Sequence, residues 1–256
     1  MRRVVKIGTS TTVTPEGQID RKRLAAIAKG VAMLLDSGDN ITLVTSGAVG
    51  VGKGLLNGRT QTPNMGRPAL AAMGQIALMS AYQSVFHPLA VGQILVDHSH
   101  VSQPSSAMAL QATLHHLWNV GIVPLINEND AISGAEQRIG DNDTLAALIS
   151  SLVAADQLVI LSDIDGLYTD NPATNPKATR VLTIPRVSLE HFGQFGDGNP
   201  GPWGSGGIIS KLRAAHIAQG YGIETILAAG HDDTVWQRLI DQDYANFTRF
   251  AAQKEA

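Results

Sequence analysis

Short, wholly apolar runs alternate along this chain with longer stretches in which apolar positions recur every third or fourth residue. Val4, Val5 and Ile7 mark a first strand over residues 3–8. Over residues 20–36, Leu24, Ile27, Ala28, Val31, Leu34 and Leu35 share one face at helical spacing, and Gly38 ends the run. The same reading predicts strands at 41–44, 91–96, 122–126, 158–161 and 225–228, and helices at 68–86, 105–118, 142–154 and 209–220. Strands separated by helices imply βαβ crossovers, hence an α/β fold with a mainly parallel sheet covered on both faces. Two Gly/Pro-rich breaks, 59–68 and 193–207, read as mobile loops rather than domain boundaries, because the alternation resumes after each. A single domain is expected.

Composition narrows the function more than the fold. Charged residues are 16% of 256 and the formal net charge is −3, so there is no basic footprint for nucleic acid. The absence of cysteine excludes disulfides, thiolate zinc sites and a cysteine nucleophile. The apolar run after Met1-Arg2-Arg3 is too short for a signal peptide, and no segment reads as a membrane span, so a soluble cytoplasmic protein is expected.

Polar residues cluster where strands should end and helices begin, the place where open α/β sheets bind ligands. Asn127-Glu128-Asn129-Asp130 ends the apolar run 122–126, and Gly140-Asp141-Asn142-Asp143-Thr144 opens the next helical run. Amides and carboxylates packed there suit a small, charged, amine-bearing ligand better than they suit a core. Lys6 lies inside the first strand and precedes Gly8-Thr9-Ser10, a combination able to meet a phosphate; a solvated lysine on an edge strand is the plain alternative. Thr45-Ser46-Gly47-Ala48 follows the second strand. The near phosphate-loop match 47–54 has Gly54 where the Mg²⁺-binding hydroxyl belongs, so it reads as a turn into a short helix. Ser162 and Asp163 end another strand, either at a ligand or in an ordinary Asp/Gly turn. Trp203-Gly204-Ser205-Gly206-Gly207-Ile208-Ile209-Ser210-Lys211 is a Gly/Ser loop entering a helix with a lysine in its first turn, a recurring phosphate device. His98, His100, His115 and His116 lack metal-ligand spacing and read as solvated or helix-capping side chains. Two lysines among Gly/Ser/Thr loops, with Mg²⁺, would supply the charge and alignment that phosphoryl transfer needs.

These motifs occur together in an order that resembles the glutamate 5-kinases of the amino acid kinase superfamily. The likeness is carried by Val4-Val5-Lys6-Ile7-Gly8-Thr9-Ser10, Val44-Thr45-Ser46-Gly47-Ala48, Ala71-Ala72-Met73-Gly74-Gln75, Ile126-Asn127-Glu128-Asn129-Asp130-Ala131, Gly140-Asp141-Asn142-Asp143-Thr144-Leu145, Gly166-Leu167-Tyr168-Thr169, and Gly204-Ser205-Gly206-Gly207 through Lys211-Leu212.

The resemblance implies a three-layer α/β/α sandwich and transfer of the ATP γ-phosphate to the side-chain carboxylate of L-glutamate, the first step of proline synthesis. It implies that Lys6 and Lys211 stabilise the transferring phosphoryl group and that Asp143 holds those lysines. Ser46, Gly47, Asp130 and Asn142, helped by Asp141, would bind glutamate. Lys6, Gly8, Ser162, Asp163 and the run Ser205, Gly206, Gly207, Ile208, Ile209, Ser210 and Lys211 would bind ATP, with Mg²⁺ arriving on the nucleotide and no metal held by protein ligands. It further implies an acceptor part near 1–150, a nucleotide part near 151–256, a homo-dimer or tetramer, and proline as a possible feedback inhibitor; many relatives carry a C-terminal PUA domain, and none is expected here. Ser102–Met108, Ser133–Glu136 and Trp203 depart from the family pattern. A sibling kinase with another acceptor, or a non-catalytic amino-acid sensor on the same scaffold, would share much of this pattern.

Overall fold

Every strand expected from the apolar runs pairs into one sheet whose centre is the first strand of the chain. The computed structural model describes residues 1–57, 65–133, 139–170, 174–195 and 207–253. In chain order its elements are β1 (Arg2–Ile7), α1 (Thr9–Thr12), α2 (Arg21–Asp36), β2 (Asn40–Thr45), α3 (Ala48–Gly54), α4 (Arg67–Phe86) and β3 (Ala90–Val96). There follow α5 (His98–Ser102), α6 (Pro104–Asn119), β4 (Ile122–Glu128), α7 (Asn142–Leu152), β5 (Gln157–Ser162), β6 (Leu167–Tyr168), β7 (Arg180–Val181) and β8 (Thr183–Ile184). The last are α8 (Leu189–Phe195), α9 (Ile208–Gly220), β9 (Glu224–Ala229), α10 (Val235–Asp241) and β10 (Thr248–Phe250).

The main sheet runs β3-β4-β2-β1-β5-β9-β10-β8, parallel except where β10 meets β9. β1 pairs with β2 on one side and β5 on the other, so the strand order reverses direction there. That reversal is the switch point at which open α/β sheets leave a crevice beyond their strand C-termini.

Strand parity sorts the core into two layers. Val5, Ile7, Leu43, Val159, Leu161 and Ile226 join the cluster under α2, α3, α4 and α10. Val4, Val44, Ile126, Leu158, Ile160 and Leu227 join the cluster under α6, α7 and α9. Both faces are therefore covered, which is why the central strands read as continuous apolar runs rather than alternating ones.

Two expectations change. The Gly8-Thr9-Ser10 turn is the start of the one-turn helix α1 rather than a loop. Among the described residues α4 is, by length and composition, long and apolar enough to cross a membrane, with 20 residues and mean hydropathy 1.2, where the sequence reading expected no such segment. Its buried Leu70, Ala71, Gly74, Leu78, Ala81, Tyr82 and Phe86 make it a core helix against α3 and the sheet. The packing with α3 is backbone-close: a Cβ on Gly74 would stand 1.8 Å from the Ala48 carbonyl oxygen. Parts of both Gly/Pro-rich breaks, 59–64 and 196–206, lie outside the described residues.

Candidate active site

Lys6 shares its strand parity with Val4, so its side chain projects toward the layer of α7 and α9. β1 is central, which disposes of the edge-strand alternative: Lys6 is 7% exposed, between Val44 and Ile160 in register. A buried ammonium needs a counter-charge. The first turn of α7 supplies it, with Lys6 Nζ 2.6 Å from Asp143 Oδ1. α9 brings a second cation to the same carboxylate, Lys211 Nζ lying 3.2 Å from Asp143 Oδ2. The Ser210 hydroxyl donates to Asp143 Oδ2 at 2.6 Å. Burial would raise the Asp143 carboxyl, but the Lys6 and Lys211 ammoniums and the Ser210 hydroxyl outweigh it and hold it at about 2. Two ammoniums thus share one carboxylate at the C-terminal edge of the switch strand.

A second group assembles beside it from strand ends. Asn142, next to Asp143 in α7, donates from Nδ2 to the Thr45 carbonyl and to Ser46 Oγ, both at 2.7 Å, and to Asn127 Oδ1 at 3.0 Å. Asn127 Nδ2 donates in turn to Gln75 Oε1 at 2.9 Å. Gly47 follows Ser46 with φ +114°, a left-handed turn that starts α3 and favours glycine. Asp130 lies just past β4, and Arg67 Nε at 3.4 Å is its one ion-pair partner among the described residues. Asp141 caps α7: its Oδ1 accepts from the Thr144 N–H at 2.7 Å and its Oδ2 from the Thr144 hydroxyl at 3.0 Å. Burial is the largest influence on Asp141 and raises its carboxyl.

The third group comes from the ends of β1 and β5 and the start of α9. Gly8 donates its N–H to the Leu161 carbonyl at 3.2 Å, and a Cβ there would stand 3.7 Å from Lys6 Nζ. Ser162 is buried at the end of β5, its hydroxyl donating to Asp163 Oδ1 at 2.8 Å. α9 begins after Gly207 with no side-chain cap, so its first-turn N–H groups are not satisfied by a capping side chain. With Lys211 in that turn, the donor set fits a polyphosphate. Among the described residues no three His, Cys, Asp or Glu side chains group as metal ligands.

The structure thus brings Lys6, Asp143, Ser210 and Lys211 into one cluster, and Ser46 and Asn142 into another. Asp130 and Asp141 are held by Arg67 and Thr144, outside both clusters. Ser205 and Gly206, with Trp203 and Gly134 to Glu136, lie outside the described residues. Asn127 and Gln75 stand in motifs that drew attention as sequence, yet their partnership was missed. The available signal was a polar side chain ending the apolar run 122–126, and a glutamine in an otherwise apolar helix. The capping reading of the histidines holds for His100, whose ring closes a capping box with Asp97 at the start of α5.

Residues 1–228 match the model of the amino acid kinase family. Among curated proteins, the glutamate 5-kinase of Symbiobacterium thermophilum is 37% identical over 245 residues, covering 93% of this chain and 92% of the relative. That of Gloeobacter violaceus is 39% identical over 252 residues, covering 97% of this chain and 68% of the relative. Among solved structures, Giardia carbamate kinase superposes with a TM-score of 0.68 at 17% identity, covering 98% and 99% of the two chains. UMP kinase from Bacillus anthracis gives 0.65 at 14% identity, with 99% and 96% covered. At those identities the solved structures speak to the fold, a mainly parallel sheet between helical layers. The sequence relatives speak to descent, and by them the chain belongs to the amino acid kinase family, in its glutamate 5-kinase branch.

Proposed function

We propose that this protein transfers the γ-phosphate of ATP to the side-chain carboxylate of L-glutamate, forming L-glutamyl 5-phosphate and ADP. The observation that carries the reading is the pair of buried ammoniums, Lys6 and Lys211, meeting on the single carboxylate of Asp143 at the switch point. An oxygen of the acceptor carboxylate attacks the γ-phosphorus, the bond to the β-phosphate oxygen breaks, and ADP leaves. The acceptor's side chain, with an ordinary pKa of about 4.3, is already ionised, so no general base is needed. The chain's task is alignment and charge. Lys6 and Lys211 offset the negative charge spread over the transferring group, and Asp143 keeps both in place between turnovers.

Ser46, Gly47, Asp130, Asp141 and Asn142 bind the acceptor in this reading. Two carboxylates and an amide oxygen suit its ammonium, and the start of α3 suits its α-carboxylate. Gly8, Ser162, Asp163 and Gly207 to Lys211 bind ATP, joined by Ser205 and Gly206 on the strength of the sequence motif. Mg²⁺ would be carried by the nucleotide's own phosphate oxygens, where it would offset their charge. The acceptor residues fall within 1–150 and most nucleotide residues within 151–256, two parts of a single kinase domain with Lys6 reaching between them. The family resemblance extends the reading to a cytoplasmic homo-oligomer inhibited by proline.

The test is ATP-dependent ADP release with L-glutamate, with L-aspartate, N-acetylglutamate and no acceptor as controls and hydroxylamine to trap acyl phosphate. Glutamate-dependent ADP with a trapped γ-hydroxamate is the expected result. ADP formed only with another acceptor would keep a kinase and discard this substrate, and ATP binding without turnover would favour a sensor.

A further inference from the structure

An asparagine amide presents an acceptor on one side and a donor on the other, and half a turn of its last torsion exchanges them. Which atom meets a ligand is therefore decided by what holds the amide. Asn142 uses Nδ2 for the Thr45 carbonyl, Ser46 Oγ and Asn127 Oδ1. Its Oδ1 is left buried with no partner among the described residues. An acceptor without a donor is costly to bury, and it is the atom an incoming ammonium would satisfy.

The Thr45 carbonyl can only accept and so fixes which way the Asn142 amide faces, while Asn127 Oδ1 is a further acceptor that helps to place it. Asn127 Oδ1 accepts from Asn142 and from the Glu128 N–H at 2.9 Å, while Nδ2 donates to Gln75 Oε1 at 2.9 Å. Gln75 lies next to Gly74, where α3 and α4 pack so tightly that a Cβ would stand 1.8 Å from the Ala48 carbonyl oxygen. Its backbone has little room to shift.

We propose that Gln75 is a positioning residue for recognition of the acceptor's amino group. By accepting from Asn127 Nδ2 it holds that side chain, whose Oδ1 also takes the Glu128 N–H, against Asn142, and so keeps Asn142 in place for the ligand. The inference rests on the acceptor reading above. It differs from a packing role, in which only the volume of Gln75 would matter.

Gln75→Met removes the acceptor at nearly constant length, and Gln75→Ala removes acceptor and volume together. Steady-state kinetics are measured for L-glutamate and for ATP, with thermal melting as the check on folding. Both variants should raise KM for L-glutamate about tenfold, the scale of one lost hydrogen bond, with kcat and the KM for ATP within about twofold. On an Asn127→Ala background, Gln75→Met should add no further loss, because the relay is already cut. Unchanged KM for L-glutamate in Gln75→Met, an effect only in the Ala variant, or additivity with Asn127→Ala would each overturn the relay. Wild-type turnover with L-glutamate is measured first. Its absence removes the functional reading and the relay together, whereas wild-type turnover with an unaffected Gln75→Met removes the relay alone.

Discussion

Lys6 Nζ and Asp143 Oδ1 stand 2.6 Å apart, one at the end of the central strand and the other in the first turn of the helix that covers it. The contact joins the central strand to the helical layer that carries both Asn142 and Lys211, and the same carboxylate also faces Lys211. Replacing Lys6 or Lys211 by Met should lower kcat at least about 1000-fold, the scale on which fixed positive charge at a transferring phosphoryl group acts. Circular dichroism should report an intact fold for each, and near-normal turnover in either would remove the mechanism.

The Asp143 carboxyl, held at about 2, links this cluster to acid stability. Its pKa in the unfolded chain is about 3.9, so folding favours the ionised form. The stabilisation is present above that unfolded value and is lost as pH falls through the folded one. Urea unfolding of wild type and Asp143→Asn should therefore differ by an amount that shrinks between about pH 4 and pH 2, by on the order of 2 kcal/mol. A difference that stays constant over that window would mean the ion pairs add nothing.

Asp141 does two separable things: it caps α7 through Thr144, and it sets a negative charge beside Asn142. Asn caps about as well as Asp, so Asp141→Asn should melt within a degree or two of wild type, while Asp141→Ala should lose about 1 kcal/mol. Both should raise KM for L-glutamate about tenfold if the charge helps hold the ammonium. An unchanged KM in Asp141→Asn would leave the residue a cap and nothing more.

Gly74→Ala puts a methyl carbon 1.8 Å from the Ala48 carbonyl oxygen, which neither backbone can yield without separating α3 from α4. A loss of about 2–3 kcal/mol of stability is expected by chemical denaturation, the usual scale of overpacking. Because Gly47 and Ser46 lead into α3, KM for L-glutamate should rise in the same variant. A stable variant with normal KM would show the helices free to part.

Much of this was legible in the chain before any coordinates. The apolar runs at 41–44, 158–161 and 225–228 located β2, β5 and β9 to within a residue or two, and helical spacing located α2, α4 and α9. The small end pieces β6, β7, β8 and β10 were not legible, because two or three residues carry no periodicity and form strands only where a neighbour offers a free edge. Motif order singled out Lys6, Asn142, Asp143 and Lys211. Their spacing along the chain says nothing of who touches whom, since Lys6 and Lys211 lie 205 positions apart in it. The amino-acid sequence by itself determined the alternation of strands and helices and the presence of charged and amide groups at strand ends, because burial imposes a local period on each element. Tertiary structure alone decided that β1 is central and that its even face meets α7 and α9. Only that arrangement sets two ammoniums on one carboxylate and leaves Asn142 Oδ1 waiting for a donor. Ion pairs and hydrogen bonds act over a few ångströms, and only the folded sheet brings distant segments that close.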